Sequence, residues 1–356
     1  MKKILVLYST YVPCAYVVNK ALIKAGAEVH VVRWDAEIIF LKKNFKHSVY
    51  TPQETKGLSL YNRSDFKNVN ELYGLVEKLN PQIILVSGTM DKLYLKVCSR
   101  IRQKTNIPVV CNTDEQYNGT IKNWVKIILS PVSQKRWFDY MFVPSYWQYE
   151  MALKYGYKRD KILLYNLCAD VELFARTDIE KKVKSYPKNF LFIGRYSPEK
   201  GLTQLKAAWR QIKDKKGWTL TLVGDGPLKP ELENQPDILC LNHLSQEGLL
   251  DLVQESGCFV LPSLSDPHPL VLHEAVAAGL PIVCSNVCGS ILHFVLSSYN
   301  GYIFSHNKAN DLKCKMEKII NLSDEELIEF SRNSRKLSTR ITPEITAKTI
   351  LSILEN

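Results

Sequence analysis

From its first residues the chain alternates short, β-branched apolar runs with stretches of helical period, and it does so in two successive series. Parallel strands need a crossover between them, so this alternation is the pattern of βαβ units. In the first series the runs 4–8, 29–33, 82–87, 108–112, 140–144 and 161–166 read as strands. In the second, 189–194, 218–224, 237–241, 258–262, 281–285 and 301–305 do. The expected fold is therefore α/β, with two tandem Rossmann-like parallel-sheet domains. A length of 356 residues suits two such cores.

The expected join is the segment 178–189 (DIEKKVKSYPKN), which is charged, carries Pro187 and has no sustained apolar period. That divides the chain into domains 1–183 and 184–342, with a last helix, 343–356, that packs back on the first. The amino-terminal apolar run is too short for a signal peptide or a membrane span, so a cytoplasmic protein is expected. The nine cysteines are scattered, several within strand-like runs, and are expected to be reduced. Cys284 and Cys288 lack the second pair that a zinc set would need, and no metal site is expected.

The net charge of +11 is unevenly distributed: up to Asp178 there are 26 Lys+Arg against 16 Asp+Glu, and beyond it 21 against 20. A basic first half suits phosphorylated substrates, anionic lipid or nucleic acid, or is an ordinary basic surface. Segment 120–137 (TIKNWVKIILSPVSQKRW) interleaves Lys and Arg with Trp, Ile and Leu, as interfacial segments do; a buried helix broken at Pro131 is the alternative.

Ligands of open α/β sheets bind beyond the carboxyl ends of the strands, so the residues just after strands carry most information. No GxGxxG follows the first strand, which reads YSTYVPCAY and disfavours an ordinary NAD enzyme. After 189–193 come Gly194, Arg195 and Lys200, then a helix from Gly201: a cationic turn suited to a diphosphate, or a solvated turn that caps the helix. After 219–223, Gly224 and Gly226 let a ring or a ribose approach the backbone. The strongest stretch is 263–281 (SLSDPHPLVLHEAVAAGLP). It sets Asp266 before a helix, Pro269 at the first turn, free N–H groups at Leu270 and Val271, and Glu274 within the helix. The amides suit a phosphate and the carboxylates suit sugar hydroxyls, although a capping Asp and a surface Glu would look the same. His268 and His273 read as acid–base candidates or as core histidines.

Five pieces in this order resemble the retaining GT-B glycosyltransferases of family four, the glycosyl transferases group one: 165–174 (YNLCADVELF), 193–201 (IGRYSPEKG), 222–227 (LVGDGP), 261–266 (LPSLSD) and 273–283 (HEAVAAGLPIV). The resemblance covers nearly the whole chain. It implies two domains facing each other across a cleft, with a nucleotide-diphosphate sugar as co-substrate, no cofactor and no metal. It further implies that Arg195 and Lys200 hold the diphosphate, that Glu274 binds the ribose hydroxyls, and that Asp266 stands where the family has the first Glu of a Glu-seven-Glu motif, one methylene longer, on the transferred sugar. Asn242, His243 and Leu244 align with the loop against the nucleobase. The catalytic candidates are thus Arg195, Lys200, Asp266 and Glu274, with Gly194, Gly224, Asn242, His243, Leu244, His268, Pro269, Leu270 and Val271 around the nucleotide sugar.

The expected activity is retaining, metal-independent transfer to a saccharide or lipid-linked saccharide, in capsule, lipopolysaccharide or exopolysaccharide synthesis, with contact to an anionic membrane. A nucleotide-sugar epimerase on the same architecture is the alternative enzyme, and a nucleic-acid binder is disfavoured by the lack of any binding motif. The first half departs from the family at 10–14, where paired glycines are common, and at Thr113, Asp114 and Glu115. Tyr8, Tyr11 and Tyr16 there are either packed or placed for sugar stacking.

Overall fold

A computed structural model describes residues 2–41, 51–53, 55–117, 119–233, 235 and 237–355. The chain divides into two compact units, Met1–Cys168 with Pro343–Asn356, and Ala169–Thr342. The division precedes the expected join at 183/184. Residues 169–183 make their bonds within the second unit: Ala169 N–H donates to His273 Nδ1 (3.0 Å), Thr177 Oγ1 to Ala278 O (2.8 Å) and Lys182 Nζ to Ser256 O (2.6 Å). The charged segment misled because Lys182 is buried, with desolvation lowering its ammonium pKa to about 8.

Among the described residues the first unit is a seven-stranded parallel sheet. In chain order its strands are β1 (Lys2–Tyr8), β2 (Ala27–Arg33), β3 (Leu58–Asn62), β4 (Ile83–Ser87), β5 (Val109–Asn112), β6 (Tyr140–Val143) and β7 (Ile162–Leu164). Their spatial order is β3-β2-β1-β4-β5-β6-β7. The central strands are apolar on both faces because helices cover both, and Ile4, Leu5, Val6 and Leu7 are fully buried. Strand β3 was not anticipated. It is an edge strand of mixed polarity (LSLYN), half-buried and bonded on one side only, to β2. The helix Pro343–Leu351 packs on helix Pro13–Lys24 and on β7, where Thr346 Oγ1 donates to Tyr165 O (2.8 Å).

The second unit is, among the described residues, a six-stranded parallel sheet: β8 (Asn189–Ile193), β9 (Thr219–Val223), β10 (Ile238–Leu241), β11 (Cys258–Leu261), β12 (Ile282–Ser285) and β13 (Gly301–Phe304). Their order is β10-β9-β8-β11-β12-β13. In both units the first strand is internal and the winding reverses beside it, between β1 and β4 and between β8 and β11. These switch points are where open sheets leave a crevice.

Candidate active site

The loops after β8, β9 and β11 lie at the switch point of the second unit and are locked backbone to backbone. Gly194 N–H donates to Val223 O (3.0 Å) and Tyr196 N–H to Asp225 O (2.8 Å). At Gly224, where φ is +147°, a Cβ would stand 2.0 Å from Gly194 O, so only glycine fits. Gly201 has φ +69°, and a Cβ there would lie 2.0 Å from Pro262 O. The same seam is closed by Leu264 N–H, which donates to Glu199 O (2.8 Å). The glycines expected to admit a ligand thus also let these loops pack on one another.

This packing brings Lys200 onto Asp266, with Nζ 2.6 Å from Oδ2, the side chains only 18% and 10% exposed. Ser263 Oγ donates to the same oxygen at 3.4 Å. A charge-assisted bond in so sheltered a place fixes the ammonium near the turn. Arg195 is different. Its side chain is 73% exposed and approaches Glu199 Oε1 only at 3.5 Å, a surface pair worth little. The Ser197 hydroxyl donates to that Glu199 oxygen (2.6 Å) and is the main cause of its lowered carboxyl pKa. One cation is therefore held and the other is free to swing.

Beyond this seam starts the helix Leu270–Ala277. Its N-cap is Pro269, which offers no capping side chain, and no acidic residue lies in its first turn. The N–H groups of Leu270 and Val271 have no acceptor among the described residues. Two bonds hold the corner: Gly289 N–H donates to Asp266 O (3.0 Å) and Ser290 Oγ to Pro269 O (3.2 Å). Uncapped amides at a helix start attract anions.

Glu274 sits in the second turn, partly buried, and its carboxylate has no bonding partner among the described residues. Desolvation raises its pKa to about 7. Its neighbour His273 is fully buried and is a structural pin: Nδ1 accepts from Ala169 N–H, Nε2 donates to Ser338 O (3.0 Å), and the ring stacks on Phe294 at 4.1 Å. Burial lowers its pKa to about 4, so the ring is neutral. His268 is also buried and neutral, its pKa lowered to about 3, and both ring nitrogens lack partners among the described residues. At the opposite end of the row, Asn242, His243 and Leu244 are exposed just after β10, where Asn242 Oδ1 accepts from Lys229 Nζ (2.6 Å).

The candidate residues follow the carboxyl ends of four neighbouring strands, β10, β9, β8 and β11, in the loops there or, for Leu270, Val271 and Glu274, in the helix that the last loop enters. Three strand spacings of ~4.8 Å make that row about 14 Å long, the scale of a nucleoside diphosphate. The Lys200–Asp266 bond was not anticipated, because nothing in the spacing of residues 200 and 266 signals it. Among the described residues no group of three or more His, Cys, Asp or Glu side chains is placed to hold a metal, and no helix is long and apolar enough to cross a membrane.

Residues 175–337 match the family described as glycosyl transferases group 1. The match lies wholly within the second unit, and that unit belongs to the family. The chain is 30% identical, over 164 residues, to an uncharacterized glycosyltransferase of Methanocaldococcus jannaschii, a match covering 43% of this chain and 44% of the relative. The chain thus spans less than half the length of that relative. It is 23% identical over 314 residues to the UDP-Gal:alpha-D-GlcNAc-diphosphoundecaprenol alpha-1,3-galactosyltransferase of Escherichia coli, covering 80% and 77% of the two chains. Among solved structures, that of Anabaena HepE in complex with UDP superposes with a TM-score of 0.74 at 16% identity, covering 100% of both chains. At that identity the likeness is one of fold: two Rossmann-like parallel-sheet units of the GT-B type.

The first unit carries a second polar cluster that sequence reasoning passed over. A cavity of about 300 Å³ lies beyond β1, β4 and β5, lined by Tyr8, Ser9, Thr10, Ser87, Asn112 and Asn166 among others. Asn112 Nδ2 donates to Tyr8 Oη, Asn166 Nδ2 donates to Asn112 Oδ1 and to Phe142 O (2.8 Å), and the Ser9 and Ser87 hydroxyls are 2.9 Å apart. The usable signal was their position immediately at or after strand ends.

Proposed function

We propose that the chain is a glycosyltransferase that moves a sugar from a nucleotide-diphosphate sugar to a saccharide or lipid-linked saccharide acceptor, with retention of anomeric configuration. The observation that carries this reading is the row in the second unit where a held ammonium, an exposed guanidinium, two open amides and a carboxylate without a partner among the described residues share one sheet edge. The diphosphate would meet Lys200, Arg195 and the amides of Leu270 and Val271, and the ribose hydroxyls would donate to Glu274. As the glycosidic bond breaks, negative charge grows on the leaving diphosphate, and preorganised donors there lower the barrier. The acceptor hydroxyl attacks from the face the nucleotide leaves and passes its proton to the leaving phosphate, so no protein nucleophile is required.

Asp266 already spends one oxygen on Lys200, so it acts first as the group that orients this cation, and its other oxygen is the one available to a sugar hydroxyl. The E. coli relative, by its name, transfers galactose to a saccharide on a lipid diphosphate. An acceptor of that class suits the basic first unit and supports a role in cell-surface polysaccharide synthesis at the cytoplasmic membrane face. We further propose that no divalent metal is needed. The test is transfer from radiolabelled nucleotide sugars to lipid-diphosphate saccharides, with and without chelator, and proton NMR of the new linkage. Retained anomeric configuration and full activity in chelator support the reading; an inverted product, or activity only with added metal, contradicts it.

A further inference from the structure

In the first unit, helix Ile121–Leu129 is built inside out. Of its residues only Asn123 is buried, whereas Ile121 (83%), Trp124 (53%), Val125 (49%), Ile128 (72%) and Leu129 (50%) are exposed, followed by Val132 (68%). Positions 121, 124, 125, 128, 129 and 132 recur at helical spacing, so these side chains form one continuous stripe. Exposed apolar side chains in such a run signal a partner.

A short link, held by Lys135 N–H donating to Ser130 O (3.1 Å), joins this helix to a groove of about 670 Å³. Its walls carry Arg102, Lys135, Lys158 and Lys161 against a single carboxylate, Asp139. Arg102 is paired with Asp139 (2.8 Å), and Lys161 Nζ donates to Tyr140 Oη (2.8 Å). Lys135 and Lys158 have no acidic partner among the described residues. Lys122 and Lys126 border the apolar stripe itself, Lys126 already paired with Glu115, and no acidic residue occurs from 119 to 137.

We propose that this face docks on an anionic phospholipid bilayer, the stripe entering the boundary between headgroups and acyl chains and the groove receiving lipid phosphates. Tryptophan and branched aliphatics beside lysines match that boundary chemically. A second copy of the chain would bring lysine against lysine, whereas lipid phosphate complements them. The inference deepens the lipid-linked reading above, since it supplies the surface on which such an acceptor is met.

The full chain is sedimented with vesicles of phosphatidylcholine alone or with about one-third phosphatidylglycerol, at low and high salt, and nucleotide-dependent thermal stabilisation is read on the same samples. Binding is expected on the anionic vesicles only, falling with salt. Each cation contributes about fivefold, so Lys135→Glu with Lys158→Glu should cost roughly twentyfold or more at low salt. Ile121→Asp with Ile128→Asp should abolish binding while leaving the melting temperature and the nucleotide effect unchanged. Equal binding to neutral vesicles, no sedimentation, or full binding by the Asp variant overturns the proposal. So does a concentration-dependent dimer dispersed by Ile128→Asp without vesicle binding, which assigns the stripe to a second copy. A nucleotide effect that persists in any of these cases leaves the donor-site reading standing.

Discussion

The two switch points of this molecule are built from different materials. Beside β8 and β11 the strand ends carry charged side chains and open amides: the Leu270 and Val271 N–H groups and the Glu274 carboxylate have no partner among the described residues, and Arg195 is held only by an exposed pair with Glu199. Beside β1 and β4 the groups are neutral and bond mostly to one another, through Tyr8, Asn112, Asn166, Ser9 and Ser87, with Asn166 Oδ1 alone of these buried atoms lacking a partner among the described residues. Buried polar groups normally find partners, so a site that leaves charges and amides open is one prepared for a ligand. The mutually bonded network of the first unit instead lines a cavity, and burial raises the Tyr8 hydroxyl pKa far enough to keep it neutral.

The largest effect expected from this contrast is on turnover. Replacing Lys200 by Met would remove the sheltered cation proposed to hold the diphosphate, and loss of such a donor typically costs ~10² to 10³ in kcat. The same kind of truncation in the first unit, Asn112→Ala, should instead appear mainly as lost stability. Steady-state kinetics of the two variants side by side distinguish a charged, ligand-directed edge from a self-satisfied one. Equal losses of kcat would erase the comparison.

Next comes His273. Its two ring nitrogens bond Ala169 N–H and Ser338 O inside the core. Replacing it by Ala should destabilise the second unit by about 2–4 kcal/mol, from a cavity plus two orphaned backbone groups. Denaturant unfolding measures this, and unchanged stability would remove its structural role.

Glu274 should give an effect of opposite sign. Its folded pKa of about 7 lies above the ordinary 4.5. The stability associated with its protonated form is complete below pH 4.5 and is lost as pH rises through 7. Glu274→Gln, which cannot ionise, should therefore gain on the unmodified protein by on the order of 3 kcal/mol at pH 8 and little at pH 4.5. A variant less stable than the parent at pH 8 would mean that the carboxylate has a protein partner.

The smallest expected effect is on the stability contribution of Arg195. Its exposed pair with Glu199 contributes within about 0–1 kcal/mol, so Arg195→Ala should melt with the parent while losing turnover. A clear drop in melting temperature would make Arg195 a structural residue.

Much of the second unit was legible in advance because its constraints are local: Gly194, Gly201 and Gly224 stand where backbone meets backbone, and Pro269 opens a helix. The first unit was legible in its strands and not in its site. Asn112 and Asn166 look like ordinary polar residues until the sheet sets β5 beside β6 and β6 beside β7. Strand β3 escaped because an edge strand needs no continuous apolar run. The boundary at 168/169 escaped because Lys182, which looks like a linker lysine, is buried by carbonyls distant in sequence. The inside-out helix at 121–129 was visible as an amphipathic pattern, but sequence alone could not decide which face is buried.

The proposed function requires the second unit to hold a nucleoside diphosphate along its β10-β9-β8-β11 edge. Thermal melting with UDP, GDP, ADP, CMP and NAD, for the unmodified protein and Glu274→Ala, tests it most directly, because a ligand that binds only the folded state raises its melting temperature. One nucleoside diphosphate is expected to stabilise the parent and to leave the variant unchanged. Stabilisation by none of them, by NAD alone, or equally in both proteins would contradict it.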